Sequence, residues 1–143
     1  MPRSRHHTGW AGALGVASEL SRRSHDAAIT LGNTPALDLI CSSPGGTRFT
    51  VQVKTASTKT WVPVSKVALE RNPQNDLFYV VAFIPADLDL PFEYYVLSSA
   101  EVHEAWLGQR KTKRDGKPYK PGFEGLGWRD VKSHLGRWDK LPS

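Results

Sequence analysis

Asp38, Gln52 and Lys54 are polar residues set inside runs that otherwise read as apolar strands: Asp38 lies in "ALDLIC", Gln52 and Lys54 in "RFTVQVKT". Placing a carboxylate, an amide and an ammonium on one small sheet is costly unless the groups pair with one another or bind something. Their chemistry is complementary, since the carboxylate only accepts hydrogen bonds, the ammonium only donates them and the amide does both. Period-two alternation puts Thr50, Gln52 and Lys54 on one face of their strand and Val51 and Val53 on the other. On the preceding run Asp38 and Ile40 share a face opposite to Leu37, Leu39 and Cys41. Between the runs stands "SSPGGT", where Gly45 and Gly46 can supply the positive φ angles of a tight antiparallel turn. One register of that hairpin brings Asp38 beside Gln52 and Lys54.

The elements that must hold these residues follow from the same patterning. From Trp10 to about Ser24 the apolar residues Ala13, Leu14, Ala17 and Leu20 recur at helical spacing, which predicts an amphipathic first helix with Glu19 on its last half. "HDAAITLGNTP" reads as a short strand closed by a Gly-Asn turn, with Pro35 keeping Thr34 extended. "NDLFYVVAFIP" and "PFEYYVLSS" predict two further strands joined by an acidic turn, the first nearly all apolar and therefore central. A serine cap opens a second helix at about Ser99, a loop rich in charge, glycine and proline spans about 109–127, and "WRDVKSHLGRW" predicts a short closing helix. The expected class is α/β, with a mixed central sheet flanked by helices in a single domain over residues 1–143.

The 143 residues are 39% apolar, enough for one packed core, and Cys41, the single cysteine, excludes an internal disulfide and is expected to pack as an ordinary strand residue. No apolar run is long enough to span a bilayer and the first residues lack a signal-peptide core, so no membrane role and a cytoplasmic location are expected. Nineteen Lys and Arg against fourteen Asp and Glu give a net charge of +5, which suits a polyanionic partner such as nucleic acid.

An acidic residue on a first helix, an Asp on one strand and an Asp/Glu/Gln-x-Lys on its partner form the layout of the PD-(D/E)XK nuclease superfamily. Through Glu19, Asp38, Gln52 and Lys54, over roughly Trp10 to Ser57, this chain resembles it. "VQVKT" is similar to the Gln-x-Lys branches, among them Mrr-type restriction enzymes and homing endonucleases, while Glu19 resembles the helix-borne carboxylate of Holliday-junction resolvases. The resemblance implies a restriction-endonuclease-like αβββαβ core and a metal-dependent DNA endonuclease. It also implies Mg²⁺, with Mn²⁺ as substitute, held by Asp38, the Gln52 amide oxygen, the backbone carbonyl of Val53 and, as an additional ligand, Glu19. Lys54 then orients water and offsets charge in the transition state. Mg²⁺ takes hard oxygen ligands and keeps several waters, so this donor set suits it. Two positions depart from the pattern: Gln52 replaces the usual acid, and Leu37 rather than proline precedes Asp38. All four residues are expected to converge in one cleft, and a homodimer is expected because so small a core covers little of a duplex.

Ser57, Thr58, Lys59 and Trp61 follow the QVK strand, where they either contact a phosphate backbone or, for Trp61, pack as a structural indole. Arg110, Lys111, Lys113 and Arg114 form a basic run that is either a solvated loop or a phosphate-binding one. The five histidines show no metal-ligand spacing. Two other classes compete with the nuclease: a non-catalytic nucleic-acid-binding module on the same fold, and an accessory or immunity-type protein-binding domain, which leaves Glu19, Asp38 and Lys54 without a common task.

Overall fold

A computed structural model describes residues 2–30, 38–110 and 124–143. Helix α1 (Arg5–Arg22) starts five residues before the expected boundary, because Ser4 caps it by accepting the His7 amide at 3.1 Å. Its far end closes with the amides of Ser24 and His25 donating to the carbonyls of Ser21 and Leu20, and Ser24 takes the left-handed conformation at φ 66°. Gly12, Ala13, Val16 and Leu20 form the buried stripe. A Cβ at Gly12 would collide with the Thr55 side chain, so glycine lets this helix pack closely on β3.

Strands β1 (Asp26–Ile29), β2 (Asp38–Ser42) and β3 (Arg48–Ala56) form an antiparallel meander. The β2–β3 turn carries one positive-φ glycine, Gly46 at 89°, rather than the expected pair. After β3 come two short elements that sequence periodicity is too brief to reveal, β4 (Trp61–Pro63) and helix α2 (Lys66–Glu70), the latter capped by Ser65. The chain then enters β5 (Leu77–Phe83), which runs parallel to β3, and returns antiparallel along β6 (Glu93–Ser98). The sheet order is β1-β2-β3-β5-β6. Strand β5 is flanked on both sides and apolar on both faces, as its composition requires.

Helix α3 (Ser99–Arg110), strand β7 (Gly125–Gly127) paired with β4, and helix α4 (Trp128–Val131) complete the fold. The expected closing helix is instead a four-residue helix and two short 3₁₀ turns, separated at Gly136, whose φ is 65°. The ends of the expected 109–127 loop are ordered: Gln109 is buried on α3 and Gly125–Gly127 are strand, while residues 111–123 lie outside the described set.

The sheet separates two cores. Val16 and Leu20 of α1 pack with Leu39, Cys41, Val51, Val53, Val80 and the C-terminal Trp138 and Leu141 on one face. Leu69, Val102, Trp106, Val62 and Leu126, from α2, α3 and the β4–β7 ribbon, pack on Tyr79, Val81, Tyr95 and Leu97 on the other. Cys41 is a core residue whose thiol burial pushes its pKa up to about 11. Among the described residues, no helix is long and apolar enough to cross a membrane.

Candidate functional site

Asp38 opens β2 directly opposite Gln52 of β3. Its carbonyl is fixed by two donors from Thr30, the amide at 2.9 Å and the hydroxyl at 3.0 Å. Lys54, two residues beyond Gln52, faces the same way, so the carboxylate, amide and ammonium share the face opposite to α1. The row continues across the sheet, because the parallel register places Tyr79 of β5 beside Gln52 and Val81 beside Lys54. The cluster stands where the layer of α2, α3 and the β4–β7 ribbon ends. On its outer side Ile40 is 56% exposed on the open half of the same face.

Asp38 Oδ1 is buried and has no hydrogen-bond partner among the described residues. Burial raises the Asp38 carboxyl above its ordinary value against the opposing charges of Lys54 and Arg71. Burial lowers Lys54, with the Asp38 charge pulling the other way. Tyr79 is raised by burial, lowered by Arg71 and raised again by Asp38. Asp38 and Lys54 thus act on one another across a partly desolvated patch, yet no ion pair closes between them among the described residues.

Glu19 does not join this group, which corrects the expected four-residue cleft. It lies between Val16 and Leu20 on a helix that packs against Val51 and Val53, the opposite side of β3 from Gln52 and Lys54. Its carboxylate pairs with Arg22 at 3.7 Å and Arg23 at 3.4 Å. The sequence carried a signal for this, since an apolar helix stripe docks on the apolar side of a hairpin, and that side is the one bearing Val51 and Val53. His25 is on the α1 side too, its ring edge-on to Phe49.

The other expected contacts divide. Ser57 is exposed just past β3. Lys59 is occupied, pairing with Glu93 at 2.9 Å and lying over the Phe83 ring. Trp61 is a half-buried β4 residue packed so closely against Gly125 that a Cβ there would approach its Nε1 to 2.7 Å. Arg110 is described only as the end of α3, and Lys111, Lys113 and Arg114 lie outside the described residues. One residue that the sequence does not point to adjoins the site: Tyr79, which nothing in its own strand places beside Gln52.

As metal donors, Asp38 and Gln52 offer hard oxygens, and a buried carboxylate oxygen with no donor is what a cation ligand presents. The set contains one carboxylate, and among the described residues no group of three or more His, Cys, Asp and Glu gathers at a metal-binding distance. Mg²⁺, which keeps several waters, fits one carboxylate and neutral oxygens. The chain matches no family model, no curated protein and no solved structure.

Proposed function

We propose that the protein is a metal-dependent DNA endonuclease of the restriction-endonuclease-like kind, with Asp38, Gln52 and Lys54 as its catalytic residues. The observation that carries this reading is the register of β2 on β3. It sets an unsatisfied carboxylate directly against an amide, with a desolvated ammonium next on the same face. The order of elements supports it as well: a helix, a three-strand meander and, past the short β4, a helix and a strand parallel to the third.

Asp38 and the amide oxygen of Gln52 would hold Mg²⁺, joined by the Val53 carbonyl between the two β3 side chains. When bound, such an ion polarises a phosphoryl oxygen and lowers the pKa of its water. The chain's own work is positional and electrostatic. Lys54, partly removed from water, exerts a stronger field on the phosphate oxygens than a solvated lysine and holds the attacking water. The Gln52 NH₂ is left to orient itself toward an acceptor; with Glu19 on the other face, the neighbouring Tyr79 hydroxyl is the protein group in that row.

Incubation with supercoiled and branched DNA in Mg²⁺ or Mn²⁺ tests the reading. Cleavage is expected from the wild type and its loss from Lys54→Ala; a wild type inert on every DNA form removes the proposal. A second reading, a non-catalytic DNA-binding module, is favoured by one observation, the single carboxylate left after Glu19 is assigned to the other face. Gln52→Glu separates the two. In a nuclease it retains cleavage and lowers the Mg²⁺ needed, because a charged ligand replaces a neutral one. In a binding module it sets a second carboxylate beside Asp38 and weakens DNA binding without yielding cleavage.

A further inference from the structure

We infer that the open edge of the sheet, strand β1, pairs antiparallel with β1 of a second copy of this chain and joins two sheets into one. The two edges of the five-stranded sheet are built differently. Along β6 the C-terminal segment takes up the outer backbone: the Gly136 amide donates to the Tyr94 carbonyl at 2.8 Å, Lys140 Nζ donates to the Val96 carbonyl at 3.0 Å, and Tyr95 bridges to Leu135. Along β1 the inner ladder is complete. The Thr30 amide donates to the Asp38 carbonyl at 2.9 Å, and Ala28 and Asp26 follow opposite Ile40 and Ser42. Hydrogen bonding alternates along an antiparallel strand, so the amides and carbonyls of Ala27 and Ile29 point outward. No described residue hydrogen-bonds to them. A proline, a bulge or a central charge is the usual guard of such an edge, whereas β1 is the regular run Asp-Ala-Ala-Ile, charged only at its start.

A second copy is the occupant this strand matches. Ala27 and Ile29 pack toward the α1 core, while Asp26 and Ala28 are exposed on the opposite face. A two-fold axis perpendicular to the sheet keeps those faces in common when each residue on the axis meets its own copy. Ala27 is the position that fits, since its backbone points outward, its side chain is small and it lies inside the strand. Centred there, Ala27 exchanges both backbone hydrogen bonds with the partner's Ala27. Asp26 then lies opposite the partner's Ala28, so no like charges meet across the junction. The same axis leaves both Asp38–Gln52–Lys54 rows on one continuous face, although the pairing itself does not depend on the chemistry of that site.

Sedimentation equilibrium of the full chain over a concentration series is the test, with Ala27→Pro, Ala28→Asp and Ala28→Lys beside the wild type. The wild type is expected to be a reversible dimer. Ala27→Pro removes an amide that the β1–β2 ladder does not use and should give a monomer with wild-type circular dichroism. The two Ala28 variants, at an exposed position, keep the test decisive where proline unsettles β1. Ala28→Asp sets like charges opposite one another twice per dimer and should loosen it about tenfold, whereas Ala28→Lys faces the partner's Asp26 and should hold or tighten it. A wild type that is monomeric at every concentration, or a dimer that Ala28→Asp and Ala28→Lys change alike, overturns the inference. So does a monomeric wild type that captures an unrelated extended peptide at this edge. A dimer that obeys the Ala28 pattern but cuts no DNA in Mg²⁺ or Mn²⁺ loses the nuclease reading and keeps this one.

Discussion

Two half-buried carboxylate–lysine groups among the described residues are built in opposite ways. At the C-terminal end, Lys140 donates to both oxygens of Glu101, at 2.9 and 3.0 Å, and to the Val96 carbonyl at 3.0 Å. Glu101 also accepts the Ser98 amide at 2.9 Å, and His134 lies 3.3 Å from its other oxygen. Burial alone would raise the Glu101 carboxyl, but the hydrogen bonds from Lys140 and Ser98 and the charges of Lys140 and His134 hold it below its ordinary value. At Asp38 the balance is reversed: burial outweighs Lys54 and Arg71, and Oδ1 has no donor. The closed cluster straps the C-terminal segment to β6 and α3, and so it stabilises the fold. The open one leaves desolvation uncompensated, a cost that folding alone gives no reason to retain and that a ligand would offset.

Four substitutions sharpen that contrast. The largest effect is expected in the open group, where Lys54→Ala lowers DNA cleavage roughly 10²- to 10³-fold, the usual cost of removing a preorganised charge from a reacting site. The same variant should melt no lower than wild type in a thermal scan. Next, Lys140→Ala in the closed group should destabilise the fold by about 2 kcal/mol in denaturant titration, since it strands Glu101 and frees the Val96 carbonyl. Its cleavage should match the wild type; a variant that keeps stability but loses activity would reverse the roles assigned to the two groups.

The closed group also carries a pH signature. His134 and Glu101 both have folded-state pKa values held below the ordinary 6.5 and 4.5. For His134 burial is the main cause, followed by the Lys140 charge. A group depressed in this way stabilises the fold above its unfolded pKa and loses that contribution as pH falls through its folded pKa. Stability should therefore decline below pH 6.5 and again through the carboxylate range; because His25 is lowered by burial as well, the first decline should be smaller, not absent, in a His134→Gln protein followed by tryptophan fluorescence. Asp38 has the opposite sign: raised in the fold, it costs stability above its folded pKa and ceases to as pH falls. Asp38→Asn should accordingly raise neutral-pH stability, by less than about 1 kcal/mol because the group is half exposed, and the gain should vanish in acid. A loss of stability in that variant would mean that Asp38 is as structural as Glu101.

Whatever short-range geometry controls was legible in the residues themselves. Alternation of side chains along a strand is local, so Gln52 and Lys54 had to share a face, and a short turn at Gly46 left the β2–β3 hairpin little choice of register, which brought Asp38 to Gln52. Strand β5 announced its central place by being apolar throughout, α1 by its apolar periodicity, and α3 by the serine that caps it. The rest depended on long-range packing. Glu19 and Asp38 are both acids on well-read elements, yet the burial of Val16 and Leu20 against Val51 and Val53 put the helix on the far side of the sheet. Tyr79 came beside Gln52 through a parallel pairing whose register is set by the crossover between β3 and β5, and α2, a helix of five residues, is held only by Leu69 in the core. Periodicity says which side chains face together along one element; which elements face each other is settled by the burial of apolar surface, summed over the whole chain.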